Sequence, residues 1–342
     1  MKLGLDMHHN VFLEDPYKKL PLEEKFRLVK QYGTDGMYFK SPMYLSETLD
    51  RSELNYYLGM AREMGLYLDF GIGRINPYNT TETSRVWALS GGDYLKAVEL
   101  QIIACAEMGC TEFIAACAGG QGARKGYFGI DRFRTDVTWE DQLIATEKFL
   151  KLLIPVLRDT GTKVAIETHE EITTFEILRL IENVGEDYIC IAYDTGNVIG
   201  RGEEPVAVAK RIAPYVTQMH ARDCVLYFTD RGINAQIRAC GEGMVNFKEI
   251  FDILSKHNNN IRIHLEDFQG TMEINLYEET WRKSYYEAKP EELFQLVKYA
   301  NSFEKKIAAK ELMDPAQYDA IPYEDQCVRR TEDGIAFLRK LL

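Results

Sequence analysis

KVAIETHEEITTFEILRLIENVGEDYICIAYDTGN, residues 163–197, reads as strand, helix, strand. Lys163 to His169 is a short β run with apolar residues on both faces, and Thr174 to Val184 carries its apolar residues at helical spacing. Gly185 stands where a left-handed residue stops a helix, and Ile189 to Asp194 then repeats the first run. Strands apolar on both faces belong to a parallel sheet covered on both sides, and the helix between them is the crossover such a sheet requires.

Outward from this unit the same alternation recurs, eight times in all. Strand runs are expected at Lys2 to Met7, Gly36 to Lys40, Tyr67 to Gly73 and Thr111 to Cys117, and after the central pair at Val216 to Ala221 and Ile261 to Asp267. Helices are expected at Leu22 to Tyr32, Arg51 to Met64, Asp93 to Met108, Trp139 to Asp159, Pro205 to Pro214 and Phe247 to Lys256, with a last one over 331–342. An open doubly wound sheet normally shows a Gly-rich phosphate loop after its first strand, and LGLDMHHN, residues 3–10, has none. The pattern predicts an α/β fold, a closed (β/α)8 TIM barrel of eight parallel strands forming one domain over 1–342. The chain exceeds a minimal barrel mainly at about 270–323, an insertion after strand eight and therefore on the catalytic face, where Trp281, Tyr285 and Tyr286 either cover the pocket or meet a partner subunit, or else the segment is a surface helix pair packing on the outside.

Composition bounds the function. Apolar residues make up 46% of the 342, enough for a large core, and 41 basic against 53 acidic residues leave a formal charge of −12. That sign disfavours nucleic acid or an anionic membrane as partner. No run of 18 apolar residues occurs, and MKLGLDMHHN is too short and polar for a signal sequence, so a cytoplasmic protein is expected. Seven scattered cysteines without a CxxC pair are expected to be reduced and mostly buried.

The chemistry rests on strand ends. IETHE (166–170), YDTGN (193–197), QMHARD (218–223) and HLED (264–267) each close an apolar run and each offer one metal-type ligand. In a parallel barrel the C-terminal tips share one mouth, so Glu167, Asp194, His220 and Glu266 converge there without any local motif. Three carboxylates and one imidazole suit Mn²⁺ first, or Mg²⁺, with Co²⁺, Fe²⁺ and Zn²⁺ also compatible. Of His8 and His9 at the end of strand one, at least one should face the mouth, and His9 is taken as a substrate contact. Lys40, closing strand two, and Arg222, two residues after the His ligand, are further substrate-binding candidates, with Asn197 and Arg74 behind them. His169 is placed to bind a hydroxyl or shuttle a proton, or else to support the site structurally.

These segments, with the GEG at 241–243, resemble the xylose isomerase-like TIM-barrel superfamily of sugar isomerases and epimerases, over most of the chain and most strongly from about 140 to 267. The resemblance implies a metal held by Glu167, Asp194, His220 and Glu266 in this order. It also implies a carbohydrate substrate from which Glu167 or Glu266 removes a proton beside a carbonyl, the other carboxylate returning it. A three-zinc DNA-repair endonuclease of this barrel would need further His and Asp ligands, and this chain has six His in total. Xylose isomerase proper would show Glu-x-Lys where His169 stands. Ketose 3-epimerases and inosose dehydratases fit the ligand order, and so do 3-oxo-C-glycoside lyases, which work with a small second subunit. The expected activity is therefore a sugar isomerase or epimerase on an unphosphorylated sugar or keto-sugar. The alternative is a lyase or dehydratase of the same barrel, with His169 or His9 as acid. The expected assembly is a homo-oligomer, or a hetero-oligomer with a small subunit; a barrel without catalysis is opposed by the four intact ligands. The loop GGQGARKG, 119–126, is a candidate lid, and a phosphate cradle there has little support because no helix follows it directly.

Overall fold

The computed structural model describes residues 1–79, 84–119 and 130–342. Eight strands close into a parallel barrel: β1 (Lys2–Asp6), β2 (Gly36–Phe39), β3 (Tyr67–Arg74), β4 (Glu112–Ala116), β5 (Lys163–Glu167), β6 (Ile189–Asp194), β7 (Val216–Ala221) and, last in the ring, β10 (Arg262–Leu265), which pairs with both β7 and β1. The β/α barrel expected from the alternation is thus the observed fold. The Gly-rich segment over 120–129, on which the expected lid falls, lies outside the described residues.

Helices cover the outside: α1 (Leu22–Gln31), α2 (Arg51–Met64), α3 (Ser84–Leu89), α4 (Tyr94–Glu107), α5 (Trp139–Thr160), α6 (Thr174–Val184), α7 (Pro205–Ile212) and α8 (Phe247–Leu254). The helix α6 shows why these sequences fold as they do. Thr173 and Glu176 cap it reciprocally, Ile177, Leu180, Ile181 and Val184 bury one stripe against the sheet, and Gly185 ends it. α7 stops at Ile212, short of the expected Pro214, because Ala213–Tyr215 tighten into a 3-10 turn.

The departure from a minimal barrel begins earlier than the sequence suggested. Directly after β7, Asp223–Thr229 (β8) and Gly232–Arg238 (β9) form an antiparallel hairpin, and Thr271–Ile274 (β11), from beyond β10, pairs with β9 to make a separate three-stranded sheet. The insertion at 270–323 is therefore only part of an added layer shared with the loop after strand seven. Its remainder comprises α9 (Glu279–Ser284), α10 (Pro290–Ala308), which packs on β8, and α11 (Pro315–Asp319), and α12 (Cys327–Leu341) then closes the chain. Trp281 and Tyr285 do not cover the central cavity; both are buried in the core, with the Arg132 guanidinium 4.4 Å from the Tyr285 ring centroid, and only Tyr286 is exposed.

One large apolar core fills the space between sheet and helices, and a separate small cluster of Tyr38, Ile114, Ala165, Cys190 and Ala192 sits within the ring of strands. Near the N-terminal ends of the strands the interior is ionic. Asp69 Oδ2 lies 2.7 Å from Arg262 Nε and 3.0 Å from His264 Nε2, while Arg262 also reaches Glu112 at 2.7 Å. Removing one member of a buried ion pair strands its partner. Asp69→Ala is expected to cost about 3 kcal/mol, the lower end of the range for such pairs because Glu112 remains to Arg262. Urea denaturation measures this, and a midpoint unchanged from wild type would refute the role given to Asp69.

Candidate metal centre and its surroundings

Glu167 and Asp194 are the last residues of β5 and β6, His220 is next to last in β7, and Glu266 follows β10 with its N–H still bonded to Ala221 O at 3.1 Å. Register places Asp194 opposite His220, and His220 opposite His264. The four predicted ligands meet with their ligand atoms within 4.8 Å of one another, all buried. His220 Nδ1 is 2.9 Å from Glu266 Oε2 and 3.3 Å from Glu167 Oε1, yet neither ring nitrogen makes a well-aligned hydrogen bond among the described residues. A buried imidazole this close to two carboxylates suits a shared cation.

The surrounding bonds fix each carboxylate. Asp194 Oδ1 accepts from the N–H groups of Gly196 and Asn197, both at 2.8 Å, and Asp194 Oδ2 accepts from Asn197 Nδ2 at 3.0 Å. Arg222 reaches Asp194 Oδ2 at 3.1 Å, ion-pairs with Glu266, donates to Asn197 Oδ1 at 2.9 Å, and lies 4.8 Å from the Phe268 ring centroid. It does so because position 196 is glycine: a Cβ there would collide with the Arg222 side chain. Arg222 borders the cavity, but its bonds go to the ligand residues, so it acts as their counter-charge more than as a free substrate contact. Burial lifts Asp194 to about 6; Arg222 opposes this, while Glu266 and Glu167 reinforce it. Burial also works against charge on Glu266, but Arg222, His9 and His220 outweigh it and hold this carboxyl well below the usual range. Three carboxylates this close, with Arg222, His9 and His220 as the positive groups beside them, form a donor set that suits a divalent ion.

Next to Arg222, Asp223 anchors the GEG loop by accepting from Cys224 and Gly241 N–H at 2.9 Å and from Gly243 and Val245 N–H at 3.0 Å. A Cβ at Gly243 would strike this carboxylate. The pair of charged residues after His220 thus divides its work, one toward the ligands and one toward the backbone of the following loop.

The site opens into a cavity of about 180 Å³ lined by Asp6, His9, Tyr38, Lys40, Arg74, Glu167, His169, Glu170 and Asn197 among others. His9 does face it, its Nδ1 2.9 Å from Asp6 Oδ2 and 3.5 Å from Glu266 Oε1. Lys40 is exposed at the rim, and its amine has no hydrogen bond among the described residues. His169 Nδ1 is 2.6 Å from Glu171 Oε2, and Glu171 in turn accepts from Ala118 N–H at 2.6 Å. Burial disfavours the charged ring, but Glu171 and Glu167 outweigh it and raise His169 to about 9, so it is protonated at neutral pH. Asp6, Tyr38, Glu170, Glu171 and Phe268 were not singled out from sequence. Asp6 had a signal, an acid at the tip of strand one, whereas Glu171 becomes visible only once the chain turns back beneath His169.

A parallel barrel gathers three carboxylates and an imidazole at its C-terminal mouth, a group that could hold a metal ion. The chain belongs to the xylose isomerase-like TIM barrel family, whose model matches residues 26–290. An inosose dehydratase of Lacticaseibacillus casei is 25% identical over 225 residues, 61% of this chain and 70% of that protein. An uncharacterized Escherichia coli (strain K12) protein, YihM, is 27% identical over 93 residues, 27% of this chain, and the match spans only 28% of YihM's length. Among solved structures, the E. coli 3-keto-D-glucoside 4-epimerase YcjR superposes with TM-score 0.56 at 19% identity over 84% of this chain and 98% of YcjR. A xylose isomerase-like barrel from Mycobacterium smegmatis, solved in complex with magnesium, superposes with TM-score 0.59 at 15% identity over 87% and 97%. No helix among the described residues is long and apolar enough to cross a membrane.

Two outcomes test this geometry. Adding Mn²⁺ to metal-stripped protein at a hundredfold excess over its Kd is expected to stabilise the fold by about 2.7 kcal/mol, read as a rise in Tm, and Asp194→Ala is expected to abolish the rise. A wild-type protein whose Tm ignores every divalent ion would refute the site. His8, the neighbour of His9, points the other way, its ring 4.1 Å from that of Tyr44 and its Nε2 buried without a partner among the described residues. Burial lowers it from 6.5 to about 4. A depressed imidazole contributes stability fully above 6.5 and loses it as pH falls toward 4, a loss of roughly 3 kcal/mol at most. His8→Phe is expected to flatten the fall in stability between pH 6.5 and 4, and an unchanged profile would contradict the burial of that ring.

Proposed function

We propose that this chain is a divalent-metal-dependent sugar isomerase or epimerase, acting on an unphosphorylated sugar or keto-sugar by removing a proton beside a carbonyl. The observation that carries this reading is the placement of Glu167 and Glu266, from β5 and β10, against one imidazole, His220, at 3.3 and 2.9 Å. Two carboxylates reaching a shared point from different strands suit a base that takes a proton and an acid that returns one.

The surroundings divide these roles. Glu266 is tied by Arg222 and approached by His9, so its negative charge is compensated and its basicity reduced. Glu167 carries no guanidinium; burial disfavours its charge, His169 and His220 outweigh burial and lower it, and it is the residue assigned to proton removal. Asp6 orients His9 beside Glu266, and Lys40 and His9 stand at the cavity wall where hydroxyls of a bound sugar lie. A bound divalent ion, Mn²⁺ or Mg²⁺ in view of the three carboxylate donors, supplies stabilisation of the negative charge that develops as the proton leaves. Acidic residues at the mouth and the formal charge of −12 favour a neutral substrate over a phosphorylated one.

A second reading is favoured by the match to inosose dehydratase. The same proton removal followed by loss of a β-hydroxyl would make the protein a dehydratase, with protonated His169 as the acid that assists the leaving group. Proton NMR in D₂O, with ketoses, inososes and 3-keto-glucosides as a panel, separates the two. Deuterium at one carbon of a recovered or epimerised sugar supports the first reading, and loss of that proton with release of water supports the second. Glu167→Gln is expected to lower kcat about 10³-fold in either case, and wild-type turnover by this variant would refute the assignment.

A further inference from the structure

Tyr38, on β2, lines the cavity together with Glu167 and His220. The residue is only 5% exposed, yet its hydroxyl makes no hydrogen bond among the described residues. Several polar groups on the same wall are already engaged: Arg222 and Asn197 with Asp194 and with each other, His9 with Asp6, and His169 with Glu171. A hydroxyl left unbonded at this depth is open to a group that enters the cavity. Resting on the function proposed above, we infer that Tyr38 is a further catalytic residue, whose hydroxyl donates a hydrogen bond to the substrate's carbonyl oxygen as the adjacent proton leaves.

The ring is fixed by what surrounds it. It packs on the His220 imidazole with 5.0 Å between centroids, stacks on His264 at 5.2 Å, and belongs to the small apolar cluster inside the barrel. The neighbouring strand leaves the hydroxyl room. A Cβ at Gly71 on β3 would come within 2.8 Å of that hydroxyl and 2.6 Å of the Lys40 carbonyl oxygen, so glycine at 71 is what lets the phenol lie here. The pairing of β3 with β4 shifts between Gly71 and Gly73, and Gly73, itself on the cavity wall, takes the left-handed backbone of this irregularity at φ 89°. In the step assigned to this site, Glu167 takes the proton, the electron pair of the broken C–H bond forms a carbon–carbon double bond, and the carbonyl π pair moves onto oxygen. The Tyr38 O–H donates to that oxygen and keeps its own proton. A donor held in place binds the developing anion more tightly than the ground-state carbonyl, so its contribution falls on kcat rather than KM. A phenol suits this wall because it donates at neutral pH without bringing a positive charge that Asp6, Glu167 or Glu266 would draw into an ion pair.

Tyr38→Phe removes one oxygen and keeps the ring against both imidazoles. The experiment is α-proton exchange in D₂O by Mn²⁺-loaded wild type and Tyr38→Phe, with D-fructose, an inosose and 3-keto-glucose as probes. The variant is expected to show kcat about 10²-fold lower, with KM within about twofold of wild type. The Mn²⁺-induced rise in Tm is expected to be the same in both proteins, because the four candidate ligand residues are untouched. Wild-type kcat in the variant, or a raised KM with kcat unchanged, overturns the catalytic role and leaves the proposed function standing. A loss of activity accompanied by a smaller Mn²⁺-induced rise also overturns it, since the phenol would then shape the ligand residues rather than meet the substrate. Absence of exchange by wild type with all three sugars overturns the proposed function and this inference with it.

Discussion

Repulsion among Glu167, Asp194 and Glu266 is the constraint around which the rest of the mouth is built. Three buried carboxylates with ligand atoms within 4.8 Å of one another are unstable unless positive charge and hydrogen-bond donors are brought to them. The fold answers with a guanidinium threaded past a glycine, an imidazole between two of the acids, a pair of backbone N–H groups on a third, and an asparagine amide that finishes the set. None of these is strong alone. Their placement on stiff neighbouring strands keeps the charges close enough to share one cation, because the register of β5, β6, β7 and β10 leaves the side chains little choice of direction.

The convergence of Glu167, Asp194, His220 and Glu266 was legible in the sequence because parallel barrel topology turns linear order into spatial proximity: an acid or imidazole at the end of each of four successive apolar runs needs no local motif. The ring of strands was legible for the same reason, each strand being apolar on both faces. The hairpin β8–β9 escaped because DCVLYFTDRGINAQIR, residues 223–238, follows a barrel strand with only Arg222 between. A reading tuned to βα units passes over a two-residue turn at Asp230 and Arg231, and nothing local signals that its partner lies at Thr271. Trp281 and Tyr285 misled in another way, since aromatic residues in an insertion suit a pocket cover and a buried core equally until a partner such as Arg132 is seen. The reading of Arg222 as a substrate contact shifted because sequence shows that an Arg follows the His ligand but not where its nitrogens are already bonded.

Polar residues occupy both ends of the barrel interior, with different consequences. At the N-terminal end Asp69, Arg262, Glu112 and His264 pair with one another and form an ionic plug. At the C-terminal end the charges are similar in kind, with Arg222, His9 and His220 as the positive partners of the carboxylates. His264 links the two levels, its ring 5.7 Å from that of His220 and stacked 5.2 Å from Tyr38, so the lower ion cluster buttresses the imidazole that stands among the candidate metal ligands. The added sheet contributes a braced boundary on the outside, β11 lining a second cavity beside Glu170 and Asn197.

The pairing of β1 with β10 joins Lys2–Leu5 to Arg262–Leu265, residues near opposite ends of the chain. Loop closure over such a span is entropically slow, and contacts of this range form late in folding. Glu167, Asp194 and His220 come from strands close in sequence, whereas Glu266, and the His9 and Asp6 that attend it, come together only through the closing seam. During synthesis, the growing polypeptide therefore holds an incomplete ligand set until nearly the whole barrel has emerged, and the arrival of β10 both seals the ring and completes the ligand set.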